Sequence, residues 1–208
     1  MTNERGFSLA GLLVVVAVLG FMLAGIIAIQ QQGQLAYIMG SNRVEAQQNA
    51  RVAVTLMSRE IREVCAISSF SASAVTFTMV DPLKANTVDC SSTTAGDIIT
   101  VKYALGAGAA STTLLRIWST GALPAVSDCN GADAQYCLIG GVNGLTFTGY
   151  KLDNTTWTSV APPGTLCGTA YICSVAISLQ TATEQSVASY SPGNVQASFD
   201  SRVRLRNL

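Results

Sequence analysis

Residues 7–29, FSLAGLLVVVAVLGFMLAGIIAI, form an unbroken run of 23 residues with neither a charge nor a proline. Nothing else in the chain constrains its fold as strongly. As an α-helix rising ~1.5 Å per residue, the run reaches ~34 Å, enough for a bilayer core of ~30 Å. A secretory signal peptide has a shorter apolar core, about 7–15 residues, closed by a small-residue cleavage site. Here Gln30, Gln31 and Gln32 follow Ile29 instead, so the sequence predicts a retained span. Arg5 and the amino terminus, with Glu4 opposing them, predict a short cytoplasmic leader and a translocated remainder.

A helical period persists beyond the apolar run. Ala46, Ala50, Val54, Met57, Ile61 and Val64 recur at spacings of four and three, while Arg43, Gln47, Arg51, Ser58 and Arg62 fall mostly on the other face. No proline occurs before Pro82. The pattern predicts one helix from about Phe7 to about Cys65, ~88 Å long at ~1.5 Å per residue. Its first part, 7–29, crosses the membrane or lies in an apolar assembly core, and its second part, 30–66, is amphipathic. Arg59, Glu60, Arg62 and Glu63 are expected in an exposed last turn. Gly20, Gly25, Gly33 and Gly40 are weak points, each costing ~1 kcal/mol against alanine.

After Cys65 the period changes to two and β-branched residues dominate. Candidate strands are 74–80, 98–105, 113–119, 144–152, 171–182 and 195–207, joined by Gly-, Ser-, Thr- and Asn-rich connections. The fold class is therefore α+β: a long N-terminal helix whose apolar stripe packs on an antiparallel β-sheet domain, 67–208. The stretch 120–141 reads as a long loop.

Composition narrows the chemistry. Twelve basic and twelve acidic side chains give zero net charge, which argues against a nucleic-acid protein driven by phosphate neutralisation. There is no histidine, so Ser-His and Cys-His nucleophile pairs are excluded along with the commonest zinc ligand. The acidic residues are scattered singly, and no catalytic constellation emerges. The expectation is a protein without enzymatic activity and without a required cofactor.

Six cysteines, Cys65, Cys90, Cys129, Cys137, Cys167 and Cys173, include no CxxC pair. An even number behind a translocated segment reads as three disulfides in an oxidising compartment. Short loops favour Cys129–Cys137 and Cys167–Cys173, leaving Cys65–Cys90 to tie the helix end to the following loop; free buried thiols are the alternative.

Three further features need weighing. Asp128, Asn130 and Asp133 place oxygen ligands at alternating spacing around a glycine, as calcium requires. The EF-hand pattern is incomplete and no glutamate closes it, so a solvated disulfide loop is the stronger reading. Arg202, Arg204 and Arg206 alternate with Val203 and Leu205, a strand with one wet face whose basic ridge meets a partner subunit more readily than DNA. Asn154-Thr155-Thr156 fits the short N-x-[ST] pattern, and Trp118 and Trp157 suit core or interface packing.

The junction ERG|FSLAGLLVVVAVLG, residues 4–20, resembles the processing site of type IV prepilins and type II secretion pseudopilins. EAQQNARVAVTLMSREIREV, residues 45–64, is similar to the helical segment of PilW-type minor pilins and J-type minor pseudopilins, and the closing SRVRLRNL to the last strand of PilW-type proteins. The resemblance implies a leader, 1–6, cut between Gly6 and Phe7 by a membrane-embedded prepilin peptidase, with methylation of the new Phe7 amine. It also implies residence in the bacterial inner membrane with the C-terminal domain outside the cytoplasm, an inner-membrane assembly platform, and a filament built with other major and minor pilins or pseudopilins. Most members carry glutamate at the fifth residue after the cut, where this chain has Gly11. That carboxylate is thought to meet the amine of a neighbouring subunit inside the apolar core. A subunit without it cannot pair with one above, which suits a place at or near the filament tip; relaxed selection is the competing explanation. The function implied is a minor pilin that helps initiate a type IV pilus. The alternatives are a minor pseudopilin of type II secretion and a surface-displayed module for adhesion or DNA uptake.

Overall fold

The computed structural model describes residues 9–85, 87–107, 112–126, 129–158, 167, 170–181 and 197–206. The chain divides into two units, Met1–Asn42 and Arg43–Leu208. The first helix, α1, spans Leu9–Arg62 and contributes to both. Its last turn carries Arg59 and Arg62, cations that complement the negative end of the helix dipole.

The helix stops before the expected end at 65–66. Val64–Phe70 is a strand, β1, although Val64 sits at helical spacing from Ile61. Strand pairing overrides that local signal: β1 runs antiparallel to β2, Ala74–Val80, from Val64 opposite Met79 to Phe70 opposite Val75. The ladder slips between Val64 and Ala66 and again between Ile67 and Ser69. The first slip leaves Cys65 as an extra residue in a bulge, and Cys65 bonds Cys90.

Among the described residues two sheets replace the one sheet expected. The first has the order β1-β2-β3-β4-β5, with β3 at Ile98–Leu105, β4 at Leu114–Ser119 and β5 at Cys137–Ile139. The second joins β6, Val142–Tyr150, to β7, Ser174–Thr181, and β8, Ala197–Arg204. All pairings are antiparallel. The chain changes sheet at Gly140-Gly141, where Gly141 has φ +67°, a conformation that glycine adopts without steric cost. The sheets are stitched by Val142 N–H donating to Thr112 O at 2.7 Å and Phe147 N–H donating to Ala72 O at 2.8 Å. The end of the stretch expected as a loop is regular instead: a 3-10 turn, Gly131–Tyr136, leads into β5.

Within the second unit, Ala50, Ala53, Met57 and Ile61 of α1 share one core with Phe77, Tyr103, Ile177, Leu179 and Val203. Alanine at three buried positions, Ala46, Ala50 and Ala53, lets the helix backbone approach the strands. Burial of Met57 and Ile61 stabilises the unit by about 1.5–3 kcal/mol each. Polar bonds fix the seat of the helix. Thr181 Oγ1–H donates to Ala46 O at 3.4 Å, the Ser58 and Ser201 hydroxyls lie 3.1 Å apart, and Arg206 N–H donates to Arg62 O at 3.0 Å.

Candidate functional site

From Leu9 to Ile29 every residue of α1 is exposed. Leu9 is 80% exposed, Phe21 84% and Ile29 71%, so the apolar side chains face outward all round the helix. The helix is long and apolar enough to cross a bilayer. Gly6 and Phe7 lie outside the described residues. Gly11 lies within α1, and a Cβ built there would meet no atom within 4 Å. Packing inside the chain therefore does not require glycine at this position. The first acidic residue after it is Glu45.

At its other end α1 carries a buried ionic group. Glu60 is only 5% exposed, contrary to the exposed last turn expected for it. Tyr103 of β3 donates its hydroxyl hydrogen to Glu60 Oε2 at 2.5 Å, and Arg116 of β4 places Nη2 2.6 Å and Nε 3.0 Å from Oε1. Tyr103 and Arg116 are register partners on adjacent strands, so their pairing sets both donors side by side beneath the helix. Burial, reinforced by the Glu60 charge, pushes the Tyr103 hydroxyl far above its ordinary value of 10. Burial works to lower the Arg116 value, but the hydrogen bond and charge of Glu60 outweigh it and raise the value overall. This group locks helix to sheet.

The disulfides join Cys65–Cys90, Cys129–Cys137 and Cys167–Cys173, with Cα–Cα distances of 5.3, 5.8 and 4.7 Å. The last two are the pairs that short loops favour, and the first is the pair they leave over. Near the first, Asp97 accepts from Lys84 Nζ at 2.8 Å and Ser92 Oγ at 2.7 Å. Those two donors, Lys84 foremost, hold its carboxyl below the usual range.

In the loop weighed for calcium, Asp128 lies outside the described residues. Asn130 precedes the 3-10 turn, and Asp133 lies in its first turn, its N–H donating to Asn130 O at 3.1 Å. No group of three or more acidic, cysteine or histidine side chains placed to hold a metal occurs among the described residues.

On β8 the alternation expected at its end is present: Val203 and Leu205 are buried, while Arg202, Arg204 and Arg206 are exposed. Arg202 has neutral partners. Its guanidinium lies 4.1 Å over the Tyr150 ring, and it donates to Asn154 Oδ1 at 2.7 Å and Ser174 Oγ at 3.0 Å. Trp157 packs edge-on against Phe70 with ring centroids 5.9 Å apart, whereas Trp118 is 42% exposed.

Sequence reading missed Glu60, Tyr103 and the partners of Arg202. A faint signal existed for Glu60: it lies three residues after Met57 and one before Ile61, on the edge of the apolar stripe. No protein-family model and no curated protein matches the chain.

Proposed function

We propose that the chain is a minor subunit of a type IV pilus-like filament, anchored in the inner membrane before assembly and placed at or near the filament tip. The observation that carries this reading is the uncharged helix surface from Leu9 to Ile29, exposed on every face and continuous in sequence with a helix that seats a disulfide-bonded β domain. Such a surface serves first as a membrane span, then as one strand of a helical filament core where lipid is replaced by the same surface on other subunits. The ERG|F junction supplies the second support, as the substrate of a prepilin peptidase.

In this reading the work of the protein is helix packing in a medium of low dielectric, with no catalytic step. An unpaired charge there costs several kcal/mol, so the placement of a carboxylate decides which subunits stack. With Gly11 in that place, the subunit offers its own amine to a glutamate below and nothing to an amine above. Its partners are other major and minor pilins and the inner-membrane assembly platform.

The test is the intact mass of the membrane-extracted protein, compared with that of a Gly6→Val variant. The reading expects wild-type protein that starts at a methylated Phe7 and variant protein that keeps residues 1–6. Removal of the leader from the variant at the normal rate would overturn it.

A further inference from the structure

The end of β6, the turn after it, and strands β7 and β8 form an open depression of ≈ 440 Å³ lined by Lys151, Leu152, Asn154, Cys173, Ser174, Arg202 and Arg204. Tyr150, Ser174 and Arg204 stand in one row across the second sheet, since Tyr150 pairs with Ser174 and Ser174 with Arg204. Arg202 lies two residues before Arg204, hence on the same face, and leans over the Tyr150 ring.

Its guanidinium is held from three directions by groups that carry no charge. The ring is below it, Ser174 Oγ accepts from Nε at 3.1 Å and Nη2 at 3.0 Å, and Asn154 Oδ1 accepts from Nη2 at 2.7 Å. Asn154 is itself fixed by a tight turn. Its φ is +64°, its N–H donates to Lys151 O at 3.1 Å, and Lys151 N–H donates to Thr155 O at 2.9 Å. The fork is thus oriented but not neutralised. Among the described residues the ion pairs are Arg59–Glu63, Lys84–Asp97 and Arg116–Glu60, and none involves Arg202, Arg204 or Lys151. The nearest acid in sequence to Asn154, Asp153, has Oδ1 occupied by Thr155 Oγ1–H and N–H at 2.7 and 3.0 Å; these bonds foremost, with a smaller contribution from the Lys151 charge, hold its carboxyl below the usual range.

Two guanidinium groups and an ammonium line one depression, and Asp200, on the same face of β8 two residues before Arg202, forms none of these ion pairs, so the excess positive charge favours an anion between the cations. A planar guanidinium presents paired N–H donors that match a carboxylate or phosphate, and the Nη1 donors of Arg202 have no partner among the described residues. We propose that this depression is a binding site for a small solute carrying one oxyanion group, phosphate or carboxylate. Arg202 provides the oriented fork, and Arg204 and Lys151 provide charge. The volume falls within the range of small-molecule sites and suits a sugar-sized molecule. The inference stands apart from the filament reading.

The test is calorimetric titration of the full chain in non-ionic detergent at low salt, with inorganic phosphate, glucose 6-phosphate and glucuronate as probes. Saturable 1:1 binding of at least one probe is expected. A response to the two phosphates alone assigns a phosphate ligand, and a response to glucuronate alone a carboxylate. Arg202→Gln should weaken binding at least tenfold, Arg202→Lys should weaken it by a smaller factor, and Arg43→Gln, on α1, should leave it unchanged. The site is refuted by the absence of saturable binding for all three probes. It is equally refuted if Arg43→Gln weakens binding as much as Arg202→Gln, or if Arg202→Lys binds as tightly as wild type, since either result reduces the site to diffuse positive charge.

Discussion

Tyr103 on β3 donates its hydroxyl hydrogen to Glu60 near the end of α1, 2.5 Å away and 43 residues earlier in the chain. Arg116 completes the group from the neighbouring strand. A carboxylate this deeply buried persists only because both donors are present, since an isolated buried charge costs several kcal/mol. The lock therefore fixes the depth and rotation of α1 over the first sheet, whereas Ala50, Ala53, Met57 and Ile61 supply the apolar contact.

Breaking this lock from one side should cost more than removing it. Arg116→Met leaves Glu60 buried without its cation and should destabilise the full chain by about 3–5 kcal/mol. The double variant Glu60→Leu, Arg116→Met should recover most of that loss. Denaturant unfolding in detergent micelles of these two variants and of Glu60→Leu alone, followed by near-ultraviolet circular dichroism, gives all three losses and their coupling. Losses that simply add would show that the pair acts as two independent surface charges.

Tyr103 gives the lock an alkaline limit. Its folded-state pKa is raised above the ordinary value of 10. The contribution is thus fully present below pH 10 and is lost as pH rises above it, because the unfolded chain ionises first. Tyr103→Phe should cost about 1–3 kcal/mol at pH 7 through the lost hydrogen bond. Above pH 10 the gap between wild type and variant should narrow by about 1.4 kcal/mol per pH unit. Stability curves of the two proteins from pH 7 to 11.5 measure this directly, and a constant gap would refute the assignment.

The disulfides should contribute unequally. Cys65–Cys90 closes 25 residues and Cys129–Cys137 closes 8. Chain-entropy arguments put the first at about 3.5 kcal/mol and the second at about 2.5 kcal/mol. Paired Cys→Ser replacements, compared by thermal unfolding in the oxidised full chain, should keep that order. The first pair should have the larger effect for a second reason, because Cys65 anchors the bulge of edge strand β1 to the loop that follows β2.

Gly11→Glu separates a positional role from a packing role. A Cβ at this position has open space around it, so the substitution should leave folding of the β domain unchanged. If the missing carboxylate confines the subunit to the tip, the variant should spread along the filament shaft, as visible by immunogold labelling. Unchanged distribution would favour relaxed selection at this position.

The apolar run from Phe7 to Ile29, the change from helical to period-two patterning and the alternation of Arg202, Val203, Arg204 and Leu205 were legible in the sequence, because each depends on the spacing of side chains along one element. The short-loop disulfides were legible for a similar reason, since closure entropy depends on chain length. The burial of Glu60 was not, because its partners Tyr103 and Arg116 lie 43 and 56 residues away and meet it only through the β3–β4 register. Val64 was read as helix for the same reason: its spacing from Ile61 is helical, while its pairing with Met79 is visible only in the folded sheet. The division into two sheets and the stacking of Arg202 on Tyr150 likewise depend on which strands become neighbours. Local periodicity determined what each segment is; contacts between distant segments determined which polar groups the fold buries and which it leaves facing outward.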